Sequence, residues 1–186
     1  MVSERSNREG ILLTLLEEFR GCGFDGVSLS RISEVTGLGK ASLYHHFPGG
    51  KGEMAEAVMD LAASWLEGHV FGPLEGGADP ATRLATVLDA LEGFYAGGSK
   101  SCLLDVMPLT GGTAVRAAVK AILQRLLAGF EQLALDGGLP AGTARARAEA
   151  ALVSLQGSLV LARGLGETGP FMRALQALRE GFLGRA

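Results

Sequence analysis

Apolar side chains recur along this chain at intervals of three and four, which keeps them on one face of an α-helix, and the alternation of a half-buried strand is rare. Residues 10–22 carry Ile11, Leu12, Leu15, Leu16 and Phe19 in that register and predict a first amphipathic helix, ended by the glycine-rich turn at 21–26. Residues 51–70 repeat the pattern with Met54, Val58, Leu61, Trp65 and Leu66. Asp79-Pro80 marks another start: a carboxylate at the N-cap accepts the orphan amides of the first turn, and proline at the first helical position has no amide to satisfy. The helix behind it shows Leu84, Val87, Leu88, Leu91, Phe94 and Tyr95 and ends at Gly97-Gly98. Val115, Val119, Ile122, Leu123, Leu126, Leu127, Phe130 and Leu133 mark a long helix that stops over 136–140, and two more follow near 143–164 and 169–183. The expectation is an all-α protein of about nine helices.

Before residue 51 the segments are short and polar-rich, and after it they are long and apolar. That break predicts a small N-terminal module over 1–50 and a larger helical domain over 51–186. With 186 residues, 47% of them hydrophobic and 20% charged, the chain carries enough apolar surface for a packed core and is no disordered segment. Its greasiest run, 152–162, is broken by Ser154, Gln156, Gly157 and Ser158, short of the ~18–20 apolar residues of a membrane span. The opening residues lack the apolar stretch of a secretion signal, and Cys22 and Cys102 make no disulfide scaffold. The expected setting is therefore the cytoplasm, with no membrane partner. Glycine is abundant, 28 residues, several inside predicted helices (Gly68, Gly93, Gly129, Gly157). Composition bias accounts for most of these, and Gly157 is also compatible with a close helix approach.

The net charge of −3 is spread evenly: residues 1–54 hold six basic and seven acidic side chains. Any nucleic-acid contact must rest on a local patch. Residues 28–51 are the place for one, with Arg31, Lys40 and Lys51 against Glu34 alone. Ser28 there is a good N-cap for a short helix burying Leu29, Ile32 and Val35. Gly37 falls where that helix needs a left-handed terminating residue, a conformation glycine adopts without a Cβ penalty. A second short helix from Gly39 or Lys40 then buries Leu43 and Phe47, with the small Ser33 where the two helices cross. Small residue, turn glycine and apolar residue at this spacing describe a helix-turn-helix over about residues 28–47. Its second helix leaves Lys40, Ala41, Ser42, Tyr44 and His45 outward, a set suited to base edges and phosphates in a major groove. An ordinary helical hairpin with a solvated polar face fits the bare pattern as well.

The motif carries more than its spacing. Ser28, Ile32, Gly37, Leu38, Lys40, Leu43, Tyr44, His46 and Phe47 together resemble the signature of the tetracycline-repressor (TetR) family of bacterial transcriptional regulators. The continuation Phe47-Pro-Gly-Gly-Lys51, and later Ser101-Cys-Leu-Leu, is similar to the LmrA/YxaF-like subgroup. The resemblance is specific over roughly residues 8–60 and architectural beyond them. It implies a three-helix DNA-binding domain followed by a helical domain that binds an effector and dimerises. Carried over by position, it places Lys40, Ala41, Ser42, Tyr44 and His45 at double-stranded operator DNA, with Tyr44 and Lys51 on phosphates and Ser28 as a further contact. Arg31 is either a contact or a solvated charge. Two departures stand out: Ser33, where the family usually has alanine, and an N-terminal tail with no basic residue beyond Arg5 and Arg8.

No catalytic constellation competes with this reading, and no cofactor or metal is expected. Gly164-Leu-Gly-Glu-Thr-Gly169 matches the dinucleotide fingerprint in letters but follows a helix rather than a strand. His45 and His46 are adjacent and His69 is alone, so no metal-ligand spacing arises. Cys102 reads as a small core residue. For the larger domain the resemblance implies a homodimer on a pseudo-palindromic operator. Leu152, Leu155 and Leu159, with Phe171, Leu175, Leu178 and Phe182, form two stripes that either face a symmetry mate or pack on their own subunit, and the dimer is the reading taken here. Trp65, Phe94, Tyr95, Leu104, Met107, Phe130 and Gln156 offer apolar walls with a few polar tips for a small, largely hydrophobic effector, though each also suits a core. The function expected is a ligand-responsive regulator, a repressor by family habit. A helical small-molecule carrier or adaptor with a non-functional helix-turn-helix is the alternative.

Overall fold

The structure, a computed structural model, describes residues 2–107 and 112–184, with side chains from Arg8 onward. Arg5, part of the short basic tail, thus lies outside the described side chains. Among the described residues there are helices and no strand: α1 (Val2–Gly26), α2 (Leu29–Thr36), α3 (Lys40–His46), α4 (Gly50–Leu66), α5 (Gly72–Glu75), α6 (Pro80–Phe94), α7 (Leu103–Val106), α8 (Gly112–Asp136), α9 (Ala141–Leu165) and α10 (Gly169–Gly181). A π-helical stretch, Glu67–Phe71, joins α4 to α5 without a break. These segments make nine separate helical runs among the described residues, and all but α7 lie where the hydrophobic periodicity predicts a helix.

Local chemistry sets most of the ends. Asp79 caps α6, its Oδ1 accepting from the amides of Ala81 and Thr82 at 3.1 Å each, and Pro80 opens the helix. The Thr82 hydroxyl and amide hold the Asp79 carboxyl below the usual carboxylate range. At the far end of α9, Gly166 takes φ 68° and the Glu167 amide donates back to the Ala162 carbonyl. The letters that mimic a dinucleotide fingerprint are thus a helix cap followed by the start of α10. The π stretch and the four-residue α7 were not expected. The Gly72 amide donates five residues back to Glu67, widening the turn just ahead of Pro73, whose ring would clash with a carbonyl in a regular α-helix.

The chain forms two compact units, Met1–Ala63 with Leu103–Lys120, and Ser64–Cys102 with Ala121–Ala186. Compactness therefore does not follow the change in composition near Lys51. In the first unit Leu15, Phe19, Val27, Ile32, Leu43, Phe47, Met54 and Val58 are fully buried, and α7 packs on α1. In the second, α10 packs on α9 and α6, and the Phe130 and Phe182 rings meet edge to face, centroids 5.6 Å apart. A buried arginine ties this unit together: Arg83 Nη1 donates to Asp136 Oδ2 at 2.7 Å and Nη2 donates to the Leu74 carbonyl. The Arg83 hydrogen bond, helped by Gln132, holds the Asp136 carboxyl below its ordinary range. Since the folded carboxylate binds its proton less readily than the unfolded one, the clasp stabilises at neutral pH. It is lost as pH falls through that depressed range.

Ser33 bears on stability in the opposite sense. Its hydroxyl is buried with no hydrogen-bond partner. An unsatisfied buried donor carries its desolvation penalty uncompensated. Ser33→Ala is expected to raise the free energy of unfolding by about 1 kcal/mol in a urea titration.

Candidate functional site

Ser28, φ −88° and ψ 157°, caps α2 by accepting from the Arg31 amide at 3.1 Å. Ile32 is fully buried, and Leu29 and Val35, expected beside it, are half-buried. Gly37 adopts φ 68°, ψ 11°, the left-handed turn that its position implies. The chain re-enters a helix at Lys40, and Leu43 and Phe47, one turn apart, are driven into the core. With that face buried, Lys40, Ala41, Tyr44 and His45 are left exposed and Ser42 half-buried. Tyr44 retains 47% of its surface and rests over Gly50, where φ is +65° and a Cβ would stand 3.5 Å from the ring. The phenol thus lies in van der Waals reach of the start of α4, where the left-handed backbone of Gly50 favours glycine.

Lys51, expected at a phosphate, and Arg31, open between a contact and a solvated charge, both have partners within the protein. Arg31 is gripped in a fork by Glu18 of α1, Nε to Oε2 at 2.9 Å and Nη2 to Oε1 at 3.1 Å, and also meets Glu34 at 3.3 Å. The Glu18 hydrogen bonds, with the Glu34 contact, raise the proton affinity of its guanidinium. Lys51 turns inward: its ammonium donates to the carbonyls of Phe24 and Val27, both at 3.0 Å, and lies 4.3 Å above the Phe24 ring. The physical reason is the end of α1, whose last carbonyls lack intrahelical donors and draw the nearest ammonium. Arg8 stands 5.0 Å over the Phe47 ring. Lys40 is the exposed cation of α3 and has no carboxylate partner among the described residues.

The second unit brings together only part of the residues expected around an effector. Trp65 is stacked between Phe94, at 3.9 Å, and His69, at 4.7 Å. Tyr95 meets Phe94 and Phe171 edge to face. Its hydroxyl shares a hydrogen bond with the buried Cys102 thiol at 3.1 Å, and Gln156 Nε2 donates to the same sulfur at 3.5 Å. Phe130 is core, packed on Phe182. Leu104, half-buried on α7, and Met107, fully buried after it, belong to the first unit. An open apolar groove between α8 and α9 is lined by Leu123, Leu127, Glu149, Leu152, Val153 and Gln156. Of the expected effector residues only Gln156 reaches it.

The stripes assigned to a dimer contact require correction. Leu152, Leu155, Leu159, Phe171, Leu175, Leu178 and Phe182 are all buried within their own subunit, because α9 and α10 pack on each other and α10 packs on α6. The apolar residues left open are Val153 (72% exposed), Val160, Leu161 (58%), Leu165 (63%) and, on α10, Met172. Gly157 and Gly164 lie in the same register with open space around them. This face was missed although its signal is present: residues 152–162 are apolar on two sides, and a helix hydrophobic on two sides needs cover on both.

A family model described as "Bacterial regulatory proteins, tetR family" matches residues 11–58, the span that contains this geometry. The HTH-type transcriptional regulator LmrA of Bacillus subtilis (strain 168) is 30% identical over 111 residues, 60% of this chain and 56% of that protein. The uncharacterized HTH-type transcriptional regulator YxaF of the same strain is 32% identical over 84 residues, 45% of this chain and 44% of that protein. The chain thus matches about half the length of these curated relatives. Among solved structures, a TetR-family transcriptional regulator from Agrobacterium tumefaciens superposes with a TM-score of 0.82 at 24% identity, covering 95% of this chain and 97% of that one. A TetR transcriptional regulator from Chloroflexus aurantiacus J-10-FL gives 0.78 at 23%, covering 96% and 95%. At these identities the likeness speaks for the fold alone.

The inward Lys51 has a consequence for stability. Lys51→Met keeps the aliphatic stem but takes the ammonium from the Val27 carbonyl and leaves the Phe24 carbonyl with the Val27 amide alone, and is expected to lower the free energy of unfolding by about 1–2 kcal/mol in urea.

Proposed function

We propose that the chain, whose residues 11–58 match the model of the TetR family of bacterial regulatory proteins, is a homodimeric, ligand-responsive transcriptional regulator of that family, a repressor that binds a pseudo-palindromic operator. The observation that carries this is the outward face of α3, fixed by Gly37 on one side and by buried Leu43 and Phe47 on the other. A short helix held this way enters a major groove with Lys40, Ala41, Ser42 and His45 toward base edges, while the Tyr44 hydroxyl beside α4 meets a phosphate. Ser28, exposed at the N-cap, is a further backbone contact. Arg31 and Lys51 serve the reader indirectly, by fixing α1, α2 and α4 to one another. Residues 1–50 are the reader in this account, and 51–186 bind the effector and dimerise.

The dimer contact is the open face of α9, with Val153, Gly157, Leu161, Gly164 and Leu165 meeting the same residues of a second copy, and Met172 at the margin. The two glycines admit a close approach between the helices, and the exposed side chains supply the apolar area that a two-fold contact buries. The effector is small and largely hydrophobic, matching the apolar walls of the α8–α9 groove and the amide of Gln156. Its binding favours a spacing of the two readers that no longer fits successive major grooves, and the operator is released. The protein acts in the cytoplasm, and no helix among the described residues is long and apolar enough to cross a membrane.

A gel-shift assay on the DNA upstream of its own gene tests the reader. Lys40→Ala combined with Tyr44→Phe is expected to lower affinity at least ~10-fold with an unchanged melting temperature. Unchanged affinity would favour a carrier with an idle helix-turn-helix. Analytical ultracentrifugation tests the face: Leu161→Glu gives folded monomers, whereas Leu159→Glu, aimed into the core, unfolds the chain.

A further inference from the structure

The α8–α9 groove is apolar along its walls and carries one charged side chain, Glu149. Leu123 and Leu127 of α8 line it with Leu152 and Val153 of α9, and Glu149 and Gln156 lie seven residues apart on α9, ~10 Å along the helix axis. We infer that this groove takes an alkyl amine in its ammonium form, the charge beside Glu149 and the hydrocarbon over Leu123, Leu127, Leu152 and Val153. The inference rests on the effector reading above and adds to it the charge of the ligand. Glu131 of α8 meets Arg145 near the connection between the two antiparallel helices. Glu149, one turn after Arg145, therefore marks one end of the groove and Gln156 the other.

At the charged end two carboxylates share one guanidinium. Arg145 Nε donates to Glu149 Oε1 at 2.8 Å and Nη1 to Glu131 Oε2 at 3.1 Å, which leaves these three side chains with one net negative charge at neutral pH. Arg145 engages Oε1 of Glu149, and Oε2 has no hydrogen-bond partner among the described residues. No basic side chain is among the residues lining the groove. Arg125 is held by Glu67 and Glu75, Arg147 donates to a carbonyl at the end of α10, and Arg173 lines the surface between α9 and α10. Lys120 stands seven residues before Leu127, ~10 Å along α8 and about one Debye length at ~0.1 M salt. A cation beside apolar walls is less screened than in open water, and an ammonium brings three donors to the carboxylate. The hydrocarbon supplies most of the affinity, and the charge decides between ligands of equal length.

The test titrates the full chain with octylammonium, 1-octanol and octanoate, which share one hydrocarbon body, by isothermal calorimetry at neutral pH. Octylammonium is expected to bind about two- to fivefold more tightly than 1-octanol, the range of an exposed ion pair, and octanoate most weakly. The preference shrinks as salt rises. Glu149→Gln is expected to abolish it, whereas Arg145→Gln, which leaves both carboxylates unshared, enlarges it. A general loss of structure would not move the two variants in opposite directions. Leu123→Ser weakens all three ligands alike. Equal affinity for octylammonium and 1-octanol, tighter binding of octanoate, or a preference that survives Glu149→Gln overturns the inference and leaves the groove standing as an apolar effector site. Failure of all three to bind, or binding indifferent to Leu123→Ser, overturns the inference together with that site.

Discussion

A helix of seven residues does not persist in water, where isolated helices shorter than ~12–15 residues are marginal even in favourable sequences. The α3 helix exists because Leu43 and Phe47 are buried beside Ile32, and because Gly37 turns the chain through a left-handed conformation that disfavours any residue with a Cβ. Everything assigned to this helix follows from that anchoring. Two apolar side chains four residues apart fix its rotation, and the rotation puts Lys40, Ala41, Tyr44 and His45 on the surface. The Tyr44 ring then lies beside Gly50 at the start of α4. A polar face is thus produced by a packing constraint on the opposite side of the same helix.

Rigidity in this unit is obtained with charges that a nucleic-acid binder ordinarily offers outward. The Arg31–Glu18 fork joins α2 to α1, and Lys51 joins α4 to the end of α1. Each engages a cation inside the unit and leaves Lys40 as the exposed cation of α3. On the DNA-binding reading, the attraction that draws many such domains to any duplex is correspondingly weak, and discrimination would fall to shape, to the few groups on α3, and to the simultaneous engagement of two copies.

Features written in adjacent residues were legible in the sequence. Ser28, Gly37, Asp79-Pro80 and Gly166 act through neighbours no more than a few positions away, and the helices they bound lie where periodicity puts them. Partners distant along the chain were not. Nothing near Arg31 signals a carboxylate thirteen residues earlier, and nothing near Lys51 signals the two carbonyls it satisfies. The stripe Leu152, Leu155, Leu159 announces a buried face without saying what buries it, and in the structure the answer is the same subunit. Phe130 was misjudged for the same reason, since an aromatic ring at helical spacing serves a core contact with Phe182 as readily as a pocket.

On the proposed reading, the two apolar sides of α9 bear on how an effector and a partner subunit would communicate. Val153 lines the α8–α9 groove, and it also lines the shallow surface between α9 and α10 with Gly157, Leu161 and Ala174. One side chain therefore borders both the space offered to a small molecule and the face offered to a second copy. A ligand shifts a conformational equilibrium only through contacts that differ between the two states. On the dimeric reading Val153 meets that condition directly, because a molecule seated beside Leu123 and Leu127 touches a residue whose other side is covered by the partner. Gln156, three residues on, ties the same groove to Cys102 and Tyr95 at the end of α6, so on the same reading an occupant of the groove would bear on the aromatic cluster as well.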